Sequence, residues 1–296
     1  MFAQSGIRQF LNFFLLFLGL GYLFFKVMGY WGGAPDAGFS YTWHWADLWQ
    51  FIARRDNAGA LVPGLLLQGL VTTLRLSFWS ALLAGALGLF FCVCRCLPLL
   101  FTRLLAVAYV GIARNIPPLV LVFIVHFFIL GMFEPYIPWE RVTHYLGMLP
   151  GLGLLLPLDA SFGFFFSAVL ALGLYEGAYM AEIARAGIES VQPGQWEAAA
   201  ALGLARGTQI FSVVLPQAFR LMLPPLVSQT VSLVKDTSIV AVISVHELTF
   251  MGRQLIDSTS LVFEIWISVC LTYLAVCLCV SALGLALERR IRWRLV

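Results

Sequence analysis

The sequence predicts an all-α membrane protein with about six transmembrane helices, and three observations predict it. Hydrophobic residues fill 61% of the 296 positions, charged residues fill 11%, and mean hydropathy is +0.91. Too little polar surface is left to coat a soluble globule of this size. The apolar residues gather in runs near the ~20 residues a helix needs to cross a bilayer, at roughly 10–30, 62–93, 104–131, 158–183, 224–246 and 262–287. These runs are continuous and lack the alternation of barrel strands, so helices carry them.

In the first run Arg8 precedes the apolar stretch and small residues follow at Gly32 to Ala37, as in a cleaved signal peptide. The run continues past Lys26 to Trp31, longer than a usual signal core, so an uncleaved anchor is expected. Next, "YTWHWADLWQFI" sets Trp45, Leu48, Trp49 and Ile52 at helical spacing, with aromatics suited to the water–lipid boundary. An interfacial helix is expected there, with His44 and Asp47 solvated or touching an external partner.

The third run contains "ARNIPPL", whose two prolines remove backbone donors and push the preceding residue out of helical geometry. The span should break there, and freed backbone groups are tolerated in a bilayer only against protein or a wet cavity. Arg114 and Asn115 are therefore expected to face the bundle interior. The plainer alternative is a packing kink with Arg114 reaching to an edge. Residues 132–157 read as a Pro- and Gly-punctuated outer loop, to which the sequence gives no task.

Lys and Arg set the orientation. With the N-terminus inside, Arg8, Arg95, Arg103, Arg185, Arg206, Arg220, Arg289, Arg290, Arg292 and Arg294 are cytoplasmic. Lys26, Arg54, Arg55, Arg141 and Arg253 then lie outside, while Arg75, Arg114 and Lys235 fall within spans. Both termini are expected inside, and the net charge of +3 reflects topology rather than nucleic-acid binding. In "CVCRC", Cys94 points away from Cys92 and Cys96 on a helix, so packing is expected rather than a metal site.

Within "LVSQTVSLVKDTSIVAVI", Ser228, Gln229, Ser232, Lys235 and Asp236 fall on one helix face. A charge at a helix centre costs ~2.5–3.5 kcal/mol on insertion scales, so the stripe must meet water or polar partners. It reads as the lining of a pathway, or as a hydrogen-bonded network that only holds the bundle together. Glu176 is a further in-span carboxylate and a candidate partner for Lys235 or Arg114. Gly173, Gly177, Ala178 and Ala181 around it would allow close helix contact. Glu182 and Arg185 read as pathway groups or as an ordinary boundary pair.

From 184 to 223 the chain runs "ARAGIESVQPGQWEAAAALGLARGTQIFSVVLPQAFRLMLP". Pro193 and Gly194 make a turn, residues 196–202 favour helix, and Gly203 interrupts before a second short helix. A helix with nothing bulky to bury gains most of its stability from a partner, so this knuckle reads as a plug for another protein's groove.

Glu197-Ala198-Ala199, Gly203, Val213, Leu215 and Pro216 are spaced as in the cytoplasmic loop of type I ABC importer permeases. More narrowly, "GAYMAEIARAGIESVQPGQWEAAAALG", "VVLPQAFRLMLPP" and "LVKDTSIVAVISVHEL" resemble the polar amino acid permeases, the histidine-permease-like branch. The likeness begins near Gly69 and covers about three quarters of the chain. It implies a five-helix core plus an extra N-terminal helix, arranged as residues 1–60 (helix and Trp-rich outer segment) and 61–296 (permease domain).

The resemblance also implies a coupling surface of Glu197, Ala198, Ala199, Ala200, Gly203, Leu204, Arg206 and Gly207, docked on a separate ATP-binding cassette subunit. A second permease subunit, itself or a paralogue, and a periplasmic amino-acid-binding protein complete the implied assembly in a bacterial inner membrane. Ser228, Gln229, Ser232, Lys235, Asp236, Glu176 and Arg114 would line the path of an amino acid. This chain has no G-x-x-x-x-G-K-[ST] loop, so ATP and Mg are expected on the partner, with no cofactor or metal bound here and no catalytic residues. The branch usually reads "RGTPLL" where this chain has "RNIPPL". Its members often place Asn or Glu where Ser228, Gln229 and Ser232 stand, which favours a neutral or acidic cargo.

Two other classes compete. A proton-coupled secondary transporter could use Glu176, Lys235 and Asp236 as a relay, but leaves the alanine-rich knuckle unexplained. A membrane enzyme lacks support, since the histidines are scattered at 44, 126, 144 and 246 without H-E-x-x-H or G-x-S-x-G.

Overall fold

The computed structural model describes residues 19, 21–23, 26, 42–55, 59–97, 99–159 and 161–293. They fall in two compact units, Met1–Ala46 and Asp47–Val296. The first predicted span, 10–30, lies almost wholly outside the described residues. In the first unit Trp43 and Trp45 stack with ring centroids 5.5 Å apart.

Trp45–Asp47 form a 3-10 turn and Leu48–Ile52 a one-turn helix, α1, over the stretch where helical spacing was expected from Trp45 to Ile52. Phe51 is buried on the apolar cluster of Leu66, Leu248 and Ile265, while Trp49 is 73% exposed. A hairpin follows that the sequence reading missed. Strands β1 (Ala53–Arg55) and β2 (Leu61–Pro63) pair antiparallel, Arg54 opposite Val62. Gly64 sits where any Cβ would lie 2.2 Å from the Phe51 carbonyl oxygen, so the hairpin can close onto α1 only through a glycine.

Among the described residues, four helices are long and apolar enough to span a bilayer: α2 (Leu65–Cys96), α7 (Phe162–Glu189), α9 (Arg206–Ile243) and α11 (Val262–Ile291). Between them, α3 (Leu100–Asn115) and α4 (Pro118–Phe133) form a pair bent by 111° at the predicted proline break. Pro117 takes an extended ψ of 136° and Pro118 starts α4, where a missing N–H costs nothing. The outer loop carries α5 (Trp139–Gly147) and α6 (Leu152–Leu155); α8 (Pro193–Ala201) and α10 (Leu248–Thr259) complete the set.

Small residues set the central crossing of α2 with α7. A Cβ on Gly88 would lie 2.7 Å from Met180 Cβ, and one on Gly177 would lie 2.9 Å from the Tyr109 hydroxyl. That hydroxyl donates to the Leu174 carbonyl at 2.7 Å, fastening α3 to the same place. Leu76, Val122, Phe165, Leu172 and Val240 make the main apolar core, joining α2, α4, α7 and the end of α9.

Helix α9 corrects the sequence reading. A short helix after Gly203 and a separate span from about 224 were expected, yet one helix runs through both. The prolines mark breaks in a one-residue-at-a-time reading. In the fold a π-helical stretch, Gln209–Val214, widens the turn ahead of Pro216, moving the carbonyl that the proline ring would strike. Pro224 and Pro225 sit inside the helix beside buried Met222 and Leu223, whose packing holds it together.

Candidate functional site: a translocation stripe and a coupling knuckle

The polar stripe lies on α9 and divides in two. Ser228 and Lys235 are exposed and Ser232 is half-buried, forming an open edge at i, i+4 and i+7. Gln229 and Asp236, each one residue further on and therefore about 100° round the helix, turn toward α7. There the Gln229 amide Nε2 donates to Glu176 Oε2 at 2.6 Å. Glu176 is fully buried, yet its Oε1 has no hydrogen-bond partner. A buried carboxylate oxygen without a donor is costly unless a cationic or N–H-bearing group meets it.

The candidate pairing of Glu176 with Lys235 or Arg114 is thus corrected to Gln229. Arg114 belongs to a different group, six residues further along α7. Its guanidinium stacks on the Tyr179 ring at 5.1 Å and reaches Glu182 at 4.0 Å. It faces α7 as expected but keeps 41% of its side chain exposed, and Asn115 also stays exposed, its amide donating to Gly111 O.

Glu182 is the centre of that group. Arg95 at the end of α2 donates to its Oε2 at 2.8 Å, and Arg185 pairs with both Glu182 and Glu189. The sequence shows Glu182 and Arg185 as neighbours on one helix, but nothing in it links Arg95, 87 positions earlier. Glu247 was also missed. Fully buried, it caps α10 by accepting from the Thr249 and Phe250 amides and from the Tyr273 hydroxyl at 2.6 Å.

The knuckle is α8 and the turn that follows. Pro193 opens the helix, and Gly203 ends it at φ +72°. The Gly203 N–H bonds Ala200 O at 2.9 Å and the Leu204 N–H bonds Ala199 O at 3.3 Å, the paired bonds of a Schellman stop. Gln209 Nε2 then ties back to Leu204 O at 2.7 Å, fixing the turn to the start of α9. Ala199 is buried, while Glu197, Ala198, Ala200, Gly203, Arg206 and Gly207 are exposed, and Leu202 is 79% exposed. Behind them Trp196 packs on Val191, Val214, Ala218 and Met222. A small-residue surface with one projecting leucine is therefore backed by a firm apolar base.

A family model described as binding-protein-dependent transport system inner membrane component matches residues 98–293. The chain belongs to that family. It is 28% identical over 253 residues to the glutamate/aspartate import permease protein GltJ of Escherichia coli (strain K12), covering 86% of this chain and 96% of that one. Over 242 residues it is 31% identical to the probable amino-acid ABC transporter permease protein YckA of Bacillus subtilis (strain 168), covering 82% and 95%. A shorter stretch of 128 residues is 43% identical to the glutamine transport system permease protein GlnP of Escherichia coli (strain K12), covering 43% and 58%.

Among solved structures, the chain is similar to an amino acid ABC transporter crystallised with histidines, with a TM-score of 0.63, 29% identity and coverage of 76% and 94%. The inward-facing MetNI methionine ABC transporter, 18% identical with a TM-score of 0.58 and coverage of 77% and 96%, shares the fold. The membrane fold is that of a type I ABC importer transmembrane domain, and the chain is a permease subunit.

Proposed function

We propose that this chain forms the translocation path of an ATP-driven amino acid importer and couples that path to a separate ATPase. The supporting observation is that α9 is a single helix, with the exposed alanine knuckle bonded to its start and Lys235 and Asp236 near its end. Motion imposed on Glu197, Ala198, Ala200, Gly203, Arg206 and Gly207 by a docked motor passes straight to the stripe. Amino acid cargo follows from the relatives' names and from the groups present.

Lys235 offers a cation for an α-carboxylate, while Asp236 and the unpartnered Glu176 oxygen offer acceptors for an α-ammonium. Ser228, Gln229 and Ser232 supply neutral polar contacts, and with Lys235 and Arg114 they favour a neutral or acidic amino acid. The ATPase carries ATP and Mg, a second permease subunit completes the path, and a periplasmic binding protein delivers the cargo. Both termini of the chain lie in the cytoplasm.

The test is uptake into proteoliposomes holding this chain, its ATPase and its binding protein. Uptake of an amino acid should require ATP and the binding protein. Accumulation driven by a proton gradient without the ATPase would instead support the secondary-transporter reading and overturn this one.

A further inference from the structure

Arg75 sits inside a span, and neither the stripe nor the knuckle uses it. It lies on α2 toward the end opposite Cys96, where its Nη2 donates to the Gly153 carbonyl at 3.1 Å. One turn along, Trp79 Nε1 donates to the Leu155 carbonyl at 3.0 Å. These two bonds draw the loop after α5 over the end of the bundle. Beneath the tethered loop is a cavity of about 320 Å³, within the range of small-molecule sites.

Its wall combines opposite charges with apolar surface. Arg75 and Thr72 come from α2, Asp159 from the loop, His246 from the turn before α10, and Phe165 and Met251 supply apolar sides. The Asp159 carboxylate accepts from the Ser161 backbone N–H at 2.9 Å, which holds it in place beside the opening. The Thr72 hydroxyl donates to Gln68 O at 3.2 Å, leaving its oxygen lone pairs as acceptors. A cation and a carboxylate across a small cavity match the two charged ends of a free amino acid.

We propose that this cavity is a second cargo subsite, separate from the α9 stripe, that takes the zwitterionic head of an amino acid through Arg75 and Asp159. The proposal rests on the amino acid reading above. A cargo molecule would occupy it before reaching Lys235. Because α2, the loop and the turn before α10 all contribute, the site exists only while the loop is drawn down.

The test uses the permease–ATPase complex in lipid nanodiscs, open to reagent from both faces. Val71→Cys and, separately, Thr72→Cys report on the cavity by maleimide labelling, with the six native cysteines subtracted from a parent control. L-Glutamine, L-glutamate and L-aspartate are offered in turn as probes. At least one should slow labelling several-fold, whereas the glutamine analogues 4-aminobutanamide, without the carboxylate, and glutaramate, without the ammonium, should not.

Asp159→Asn should raise the half-protecting concentration by about tenfold, and Lys235→Met should leave protection intact. Labelling unaffected by all three amino acids, equal protection by either analogue, or unchanged protection in Asp159→Asn would overturn the subsite. Amino acid uptake in proteoliposomes is measured separately. Failure of the subsite leaves uptake standing, whereas failure of the functional reading removes uptake of every amino acid.

Discussion

Replacing Gly203 with valine isolates the conformation of the knuckle from its bulk. The residue sits at φ +72°, and a Cβ built there meets nothing within 4 Å. The penalty is therefore backbone alone, roughly 1–2 kcal/mol for a left-handed non-glycine residue, and β-branching puts valine at the upper end. Since 1.4 kcal/mol is about a factor of ten, the docked shape should be about 5–30 times less populated. The turn is exposed, so the bundle should keep its melting temperature.

The assay measures ATPase-subunit affinity of the purified permease and ATP-driven uptake beside it. Gly207→Ala is the control. It lies in the first turn of α9, also has no atom within 4 Å, and should gain up to about 1 kcal/mol of helix propensity. Full ATPase affinity and full uptake in Gly203→Val would refute the argument that the Schellman stop shapes the docking surface. Equal losses in both variants would show that added bulk, not conformation, is what the partner rejects.

Other perturbations read other parts of the fold. Lys235→Met should cut uptake by more than about tenfold with normal membrane insertion, and unchanged uptake would remove Lys235 from the path. Gly88→Ala forces a Cβ to within 2.7 Å of Met180 Cβ and should cost about 1–3 kcal/mol by overpacking, read as a lower melting temperature in detergent. Trp79→Phe deletes the bond to Leu155 O, worth about 0.5–1.5 kcal/mol, and should speed proteolysis between 148 and 155. Glu247→Ala strips the α10 cap and leaves the Thr249 and Phe250 amides and the Tyr273 hydroxyl without their acceptor. It should lower stability by about 1–3 kcal/mol, measured the same way.

The parts legible in the sequence were those written in local chemistry. Two prolines announced the bend between α3 and α4, and a cluster of glycine and alanine announced the tight crossing of α7. Proline followed by alanines and a glycine announced the start and stop of α8. What the sequence hid depended on distant partners or on packing that overrides local preference. Pro216, Pro224 and Pro225 each argue against a helix, but burial of Val214, Ala218, Met222 and Leu223 holds α9 in one piece.

Which edge of the stripe turns inward depends on where α7 lies, and the sequence carries no record of that. Glu182 looked like one half of a local pair because Arg95 is brought to it only by the crossing of α2 and α7. The hairpin at Ala53–Pro63 was hidden by its shortness, three residues to a strand.

From Arg206 to Lys235 the unbroken α9 measures roughly 44 Å at 1.5 Å per residue. Swinging such a shaft by about ten degrees about its midpoint carries its two ends roughly 4 Å in opposite directions. That is comparable to the width of an amino acid side chain. A modest rocking stroke at the motor would suffice to unseal one mouth of the channel while pinching the other.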